Sequence, residues 1–237
     1  MLVAVPSKGR AFQTSTQKIL PDAVFFVPES EAHQYSNIKN VVAVPSGIQG
    51  ITKTRNWILK NTDEQRVVFL DDDVKRAGYI RLNETSSEHI KMHEQDFWLQ
   101  EFEKCFDITE QLHYKIFGLK TESQLKSTFP FFPILLRCYV TASCMGIIND
   151  GEYLFDEAFP VKEDYELCLR HIREKKGILG IRYLYWENEH WDKPGGCNNY
   201  RTMQMERDAI KKLIQRYPEN IKKVKRKANE FCIELNL

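Results

Sequence analysis

The sequence predicts an α/β domain, and three observations carry that prediction. Short apolar runs rich in β-favouring residues open the chain, each stopped by a proline or a polar cluster. A glycine-bearing loop, Gly47-Ile48-Gln49-Gly50, leads into a segment whose Ile51, Trp57 and Ile58 fall near one helical face. The run Val67-Val68-Phe69-Leu70 reads as a buried strand and ends in three consecutive carboxylates, Asp71-Asp72-Asp73.

Composition sets the bounds. With 237 residues and 42% hydrophobic content the chain can bury a sizeable core as one large domain, or a domain with an embellishment. No apolar run approaches the ~20 residues of a membrane span, and no charged-then-apolar signal segment opens the chain, so no membrane partner is expected. Cys105, Cys138, Cys144, Cys168, Cys197 and Cys232 show neither a Cys-x-x-Cys pair nor zinc spacing. They read as reduced structural thiols, and a cytoplasmic location is expected. The formal charge of +1 excludes a whole-molecule trap for nucleic acid, but from Met203 onward nine Lys/Arg face five acids, leaving the remainder at −3.

In order, Leu2 to Val5 is a first strand ended by Pro6. Ser7-Lys8-Gly9-Arg10 follows, a polar loop where an open α/β sheet can hold a nucleotide base and phosphate. Ser15 to Leu20 suits a short helix, Ala23 to Val27 a second strand, and Val41 to Val44 a third. In the helix after Gly50, Thr52 or Thr54 could cap the start. Lys53 and Arg55 have the wrong sign for that end of the helix dipole, so an anion is expected nearby.

Past the carboxylates, Tyr79 to Leu82 is a short β-like piece. Ser87 to Phe106 is predicted helical, with Ile90, Phe97, Trp98, Phe102 and Phe106 at helical spacing. His89 and His93, four apart on it, lack the following glutamate of zinc proteases and read as a surface or packing pair. Leu125 to Pro133 is aromatic and proline-rich loop, its rings most simply core filling. Ile134 to Val140 and Cys144 to Ile148 read as strands joined by Thr141-Ala142-Ser143. Glu163 and Asp164 open a helix whose dipole they suit, and a carboxylate there can also act as a general base. Ile178 to Trp186 is a last strand, and two basic helices divided at Tyr217-Pro218 close the chain. Repeats, linkers and low-complexity segments are absent from the sequence.

The carboxylate triplet asks for a cation. Adjacent carboxylates repel and are costly to desolvate unpaired, and a divalent metal at the strand's carboxyl end removes both problems. Hard oxygen ligands suit Mg²⁺ or Mn²⁺, with phosphate oxygens completing the shell. In the loop Glu187 to Arg201, His190 can join oxygen ligands on Mn²⁺, while Gly195-Gly196 lets backbone N–H groups approach phosphates.

Taken as an ordered set, Pro6 to Arg10, Val27-Pro28-Glu29-Ser30-Glu31, Gly47-Ile48 through Thr54-Arg55-Asn56-Trp57, Leu70 to Asp73, Glu163 to Cys168 and the His190 loop resemble a GT-A glycosyltransferase. More closely, they are similar to the TET/JBP-associated glycosyltransferases, phage and kinetoplastid relatives that glucosylate hydroxymethylated pyrimidines in DNA. The resemblance implies one domain over 1–237, a GT-A-like, Rossmann-related, mixed and mostly parallel sheet flanked by helices. It would carry a helical insertion at about 84–128 and C-terminal helices at about 201–232. It also implies a UDP-glucose donor held through Mn²⁺ or Mg²⁺, and the host cytoplasm if the chain is phage-encoded. Asp71, Asp73 and His190 would ligate the metal. Ser7, Lys8, Arg10, Arg55, Asp71, Asp72, Gly195 and Gly196 would hold the donor, and Asp164 or Glu163 would deprotonate the acceptor hydroxyl. Lys222, Lys223, Arg226 and Lys227 are candidate phosphate contacts to an acceptor DNA. Two other enzymes fit the same carboxylates: a GT-A enzyme acting on a saccharide, lipid or protein, and a nucleotidyltransferase. A non-catalytic DNA-binding module would leave the carboxylates unexplained.

Overall fold

A computed structural model describes residues 1–82, 87–121, 132–188, 201–223 and 233–237. Strands β1 (Leu2–Pro6), β2 (Val24–Pro28), β3 (Asn40–Val44) and β4 (Arg66–Leu70) form a wholly parallel block in the order β3-β2-β1-β4, with Ala4 opposite both Val24 and Phe69. The helix α1 (Ile51–Lys60) makes the crossover from β3 to β4. Parallel strands need such a crossover, and their buried faces explain the near-continuous apolar runs.

Beyond β4 the sheet turns mixed. It continues through β9 (Cys144–Ile148), β7 (Ile116–Lys120), β10 (Leu179–Asn188), β5 (Val74–Leu82) and β6 (Ser87–Lys91), with β8 (Ile134–Leu135) also on β10. β9 runs antiparallel to β4 and pairs Cys144 with Leu70. The segment leading into β9 therefore lies beside the carboxylate triplet.

Alternation along the strands builds two cores. Val3, Val5, Phe25, Val27, Val68 and Leu70 point to the face covered by Trp98, Phe102 and Phe106 of α2 (Gln95–Gln111). Ala4, Phe26, Val67 and Phe69 point to the other, covered by Ile58 and Leu59 of α1 and by Leu167, Cys168 and Ile172 of α3 (Glu163–Lys175). A period-two pattern buried on both sides is what a central strand with helices above and below requires. A third cluster, Phe159, Val161, Leu169, Ala209 and Leu213, seats α4 (Met203–Arg216) on α3.

Several elements differ from the sequence reading. Residues 87–91 are not helical: they pair antiparallel with β5, Ile90 opposite Tyr79, and α2 begins only at Gln95. Between 87 and 120 the chain is thus strand, helix and strand, because an available edge on β5 outweighs local helical periodicity. His89 stacks on Tyr185 at 5.0 Å from its strand, as a packing residue, and shares no helix face with His93. The first helix, Ser15 to Leu20, is reduced to the 3-10 turn Thr16–Lys18, and the strand from Ile134 to Leu135 stops well before Val140. Neither Thr52 nor Thr54 caps α1; Thr52 donates to Phe159 O (2.9 Å), and the cap position is Gly50 at φ 90°, which glycine adopts without strain. Of the two expected C-terminal helices, α4 forms, and most of the second lies outside the described residues. Tyr217-Pro218 end α4, and β11 (Ile221–Lys223) pairs antiparallel with β12 (Ile233–Leu235), where alternating apolar residues favour strand.

Candidate active site

The carboxyl ends of β1, β2 and β3 and the start of α1 enclose a cavity of about 340 Å³, lined by Pro6, Ser7, Lys8, Phe26, Pro28, Ser30, Val44, Pro45, Ser46, Ile48, Gln49, Gly50, Ile51 and Thr54. Loops at the carboxyl edge of a parallel sheet build such clefts because each strand delivers its chain there. The positive end of α1 faces the cavity, with neither an acid in its first turn nor a side-chain cap. Lys8 stands exposed at the rim without a carboxylate partner among the described residues.

Beneath the cavity the first loop and the triplet interlock. Arg10 Nη1 donates to Asp72 Oδ1 (3.0 Å) and Asp73 Oδ2 (2.8 Å). Ser7 Oγ donates to the other oxygen of Asp72 and is itself 2.9 Å from the Tyr35 hydroxyl. Asp72 and Asp73 are accordingly buried, each with one side on a cation.

Asp71 faces away from this knot. Its N–H donates to Ser143 O (3.1 Å), and its side chain remains 41% exposed. The protein packed around it pushes its carboxyl up to about 7 even so; Asp73 and Asp72 add to the rise, and Arg55 opposes it. Asn188, at the end of β10, lies with Nδ2 3.5 Å from Asp71 Oδ2, while its own Oδ1 is buried without a partner among the described residues.

Arg55 links Asp71 to the start of α3. Its Nη1 donates to Glu163 Oε1 (2.5 Å), its Nη2 donates to Ala142 O (3.2 Å) and sits 3.8 Å from Asp71 Oδ1. The guanidinium is packed against the Phe69 and Phe155 rings at 5.9 and 5.5 Å. The anion that Arg55 calls for is therefore this pair of carboxylates, whereas Lys53 is simply exposed. Burial pushes the Glu163 carboxyl up to about 7, Asp164 adds to it, and Arg55 pulls the other way. The neighbouring Asp164 is half-buried. It accepts from the Tyr139 hydroxyl (2.6 Å) and from the Tyr165 N–H (2.9 Å). Burial and Asp164 hold the Tyr139 phenol neutral, so it is a lasting donor.

Thus Ser7, Lys8, Arg10, Arg55, Asp71, Asp72, Asp73, Glu163 and Asp164 gather at one edge of the sheet. Tyr35, Tyr139 and Asn188 join them without having been singled out from sequence. Asn188 had one usable signal, its place at the end of an apolar strand beside the polar loop; Tyr35 and Tyr139 had none. His190, Gly195 and Gly196 lie outside the described residues, as do Arg226 and Lys227. Lys222 and Lys223 fall on β11, at the far end of the chain from these loops.

A divalent cation fits this donor set. Asp71 is the exposed carboxylate, crowded by two like charges, and the orphaned Asn188 oxygen adds a neutral ligand beside it. Among the described residues no three His, Cys, Asp or Glu side chains form a ready-made cage. Mg²⁺ and Mn²⁺ take one or two carboxylates and complete their shell with substrate phosphates.

Comparison with known proteins bears on this geometry. The family model for TET-associated glycosyltransferases matches residues 1–196. Among curated proteins no match is found. Among solved structures, S. aureus TarS 1–349 in complex with UDP-GlcNAc is 13% identical at a TM-score of 0.53, covering 90% of this chain and 67% of that one. Against another structure of TarS 1–349 the chain spans 60% of that chain's length. Glucosyl-3-phosphoglycerate synthase from Mycobacterium tuberculosis, in complex with phosphoglyceric acid, is 12% identical at a TM-score of 0.58 and is covered over 81% of its length by 92% of this chain. The same enzyme with Mn²⁺, UDP-glucose and glycerol 3-phosphate gives 11% identity and 0.55 over the same shares. At these identities the likeness is one of fold, a GT-A-like mixed sheet flanked by helices.

Proposed function

The chain belongs to the TET-associated glycosyltransferase family, and on that premise we propose that it moves glucose from UDP-glucose to the hydroxymethyl group of a modified pyrimidine in DNA. One observation carries the reading: buried Arg55 pairs with Glu163 and lies 3.8 Å from Asp71, which brings the carboxylate triplet and the Glu163-Asp164 turn to one place.

The chemistry needs three things. The donor's nucleotide must be held, and the cavity over β1 to β3 has the volume and the helix dipole for it, with Lys8 at its rim. Negative charge must be balanced as the sugar–phosphate bond breaks, and Asp71, Asp73 and His190 are the proposed holders of Mn²⁺ or Mg²⁺, with Asn188 beside them. Such an ion, when bound, stabilises the departing diphosphate as a Lewis acid. Finally the acceptor hydroxyl must lose its proton as its oxygen bonds to the sugar carbon. Asp164 is the proposed base, because Glu163 is committed to Arg55 while Asp164 keeps exposed surface and is oriented by Tyr139. Ser7 and Arg10 support the donor side indirectly, by fixing Asp72 and Asp73.

The DNA acceptor rests on the family and on the basic tail. Part of that tail is used internally: Arg216 pairs with Asp156 and Glu166, and Lys212 donates to Ala158 O. Lys222, Lys223, Arg226 and Lys227 remain the proposed phosphate contacts. Their replacement by serine should raise the KM for DNA and flatten its salt dependence while sparing UDP-glucose hydrolysis. No described helix is long and apolar enough to cross a membrane.

The deciding experiment offers a panel of nucleotide sugars, with Mn²⁺, to DNA containing hydroxymethylcytosine or hydroxymethyluracil and weighs the nucleosides. A hexose gain on the modified base is expected. A nucleotide gain would make the protein a nucleotidyltransferase, and sugar transfer only to small saccharide, lipid or protein acceptors would remove DNA from the proposal.

A further inference from the structure

Lys162, immediately before Glu163, adopts φ 59° and ψ 25°. Three described non-glycine residues have positive φ, and the other two, His113 and Lys176, end helices, where a left-handed residue is ordinary. Lys162 instead begins one, where no such closure motif calls for it. Something must hold it there.

The holder comes from α4. Lys162 Nζ lies 3.2 Å from Glu206 Oε2, both side chains being under 10% exposed. Glu206 also takes Arg201 Nε on its other oxygen. A lone acid in the first turn of α4 could serve the helix dipole alone, but that role needs neither burial nor a buried lysine. From Lys162 the contacts run on into the site. Its ammonium sits 5.0 Å over the Tyr165 ring, Tyr165 stacks on Tyr139 at 4.3 Å, and Tyr139 donates to Asp164. Glu206 lies beyond residue 196, where the family match ends.

We propose that Glu206 is a positioning residue: it clamps Lys162 in its left-handed conformation and thereby sets the Glu163-Asp164 turn in its place beside Arg55 and Tyr139. The inference rests on the transfer reaction proposed above, so its test has one arm that needs no activity. In the full-length protein, hydrogen exchange over 160–168 is followed by mass spectrometry, and turnover and calorimetric affinity for UDP with Mn²⁺ are measured alongside. Glu206→Ala should speed exchange in that segment and lower kcat by about 10- to 100-fold, since small misplacements of reacting groups cost that much. UDP affinity should stay within about twofold, because the donor side is not touched. Adding Lys162→Gly should restore slow exchange and turnover, as glycine takes this conformation without a clamp. Adding Lys162→Ala should not.

Unchanged exchange over 160–168 in Glu206→Ala, with α4 still protected, overturns the clamp whatever the activity. Loss of UDP affinity in step with kcat, or no rescue by glycine, reduces Glu206 to a stability residue and overturns it too. If the wild-type protein moves no sugar from any donor, the proposed function fails, and the exchange arm still decides the clamp.

Discussion

The guanidinium of Arg55 meets Glu163 across 108 residues of sequence, Nη1 to Oε1 at 2.5 Å, with both side chains at or below 10% exposed. This contact ties α1 to the start of α3 and leaves Arg55 Nη2 turned toward Asp71. A buried pair adds little over a well-packed apolar pair, but removing one partner strands the other.

Arg55→Ala should therefore destabilise the fold by about 3–5 kcal/mol in urea unfolding near neutral pH. It strands Glu163 and removes the cation nearest Asp71. The double variant Arg55→Met with Glu163→Leu should recover much of that loss. A double variant as unstable as the single would mean that packing on Phe69 and Phe155, not charge, is what Arg55 supplies.

Asp164→Asn should lower turnover by about 10²-fold or more with little change in donor affinity, because only proton abstraction is removed. Glu163→Gln should instead weaken the fold through Arg55. Near-normal turnover in Asp164→Asn, with loss in a folded Glu163→Gln, would transfer the base role to Glu163.

Asp71→Asn should abolish the Mn²⁺ dependence of UDP binding measured by calorimetry. Asp73→Ala should weaken it while leaving the fold intact, since Arg10 keeps Asp72 as a partner. UDP affinity that is the same with and without Mn²⁺ in the wild type and both variants would remove the metal from the proposal.

His171 supplies a pH signature of stability. It is fully buried; its Nε2 accepts from the Lys115 N–H (2.9 Å) and its Nδ1 donates to Gly177 O (2.7 Å), which requires the neutral ring. Burial lowers its pKa from the ordinary 6.5 to about 4. A histidine depressed in the folded state contributes stability above the unfolded value, and that stability drains away as pH falls from about 6.5 to about 4. The loss attributable to this ring is on the order of 3 kcal/mol at the bottom of the window. Urea unfolding of wild type and His171→Gln across this range should show the steeper acid decline in wild type, and parallel declines would refute the assignment.

Sequence alone determined what depends on near neighbours. Short apolar runs stopped by a proline or a polar cluster placed β1, β2 and β4, glycine before Ile51 placed the start of α1, and Asp71-Asp72-Asp73 marked the sheet edge where ligands gather. The carboxylates of the Glu163 turn were legible for the same reason, since a helix start announces itself locally. Only the tertiary structure decided which charges meet. That Arg10 turns inward onto Asp72 and Asp73, that Asp71 keeps an exposed side, that Asn188 lies beside Asp71 and that Tyr139 donates to Asp164 all follow from strand order, which no local pattern encodes. The same cause redirected residues 87–91 from helix to strand and paired Ile221–Lys223 with Ile233–Leu235. A short segment takes the conformation that its spatial partner stabilises, and the partners here, β5 and β12, are fixed by how the whole sheet and the α3–α4 layer assemble.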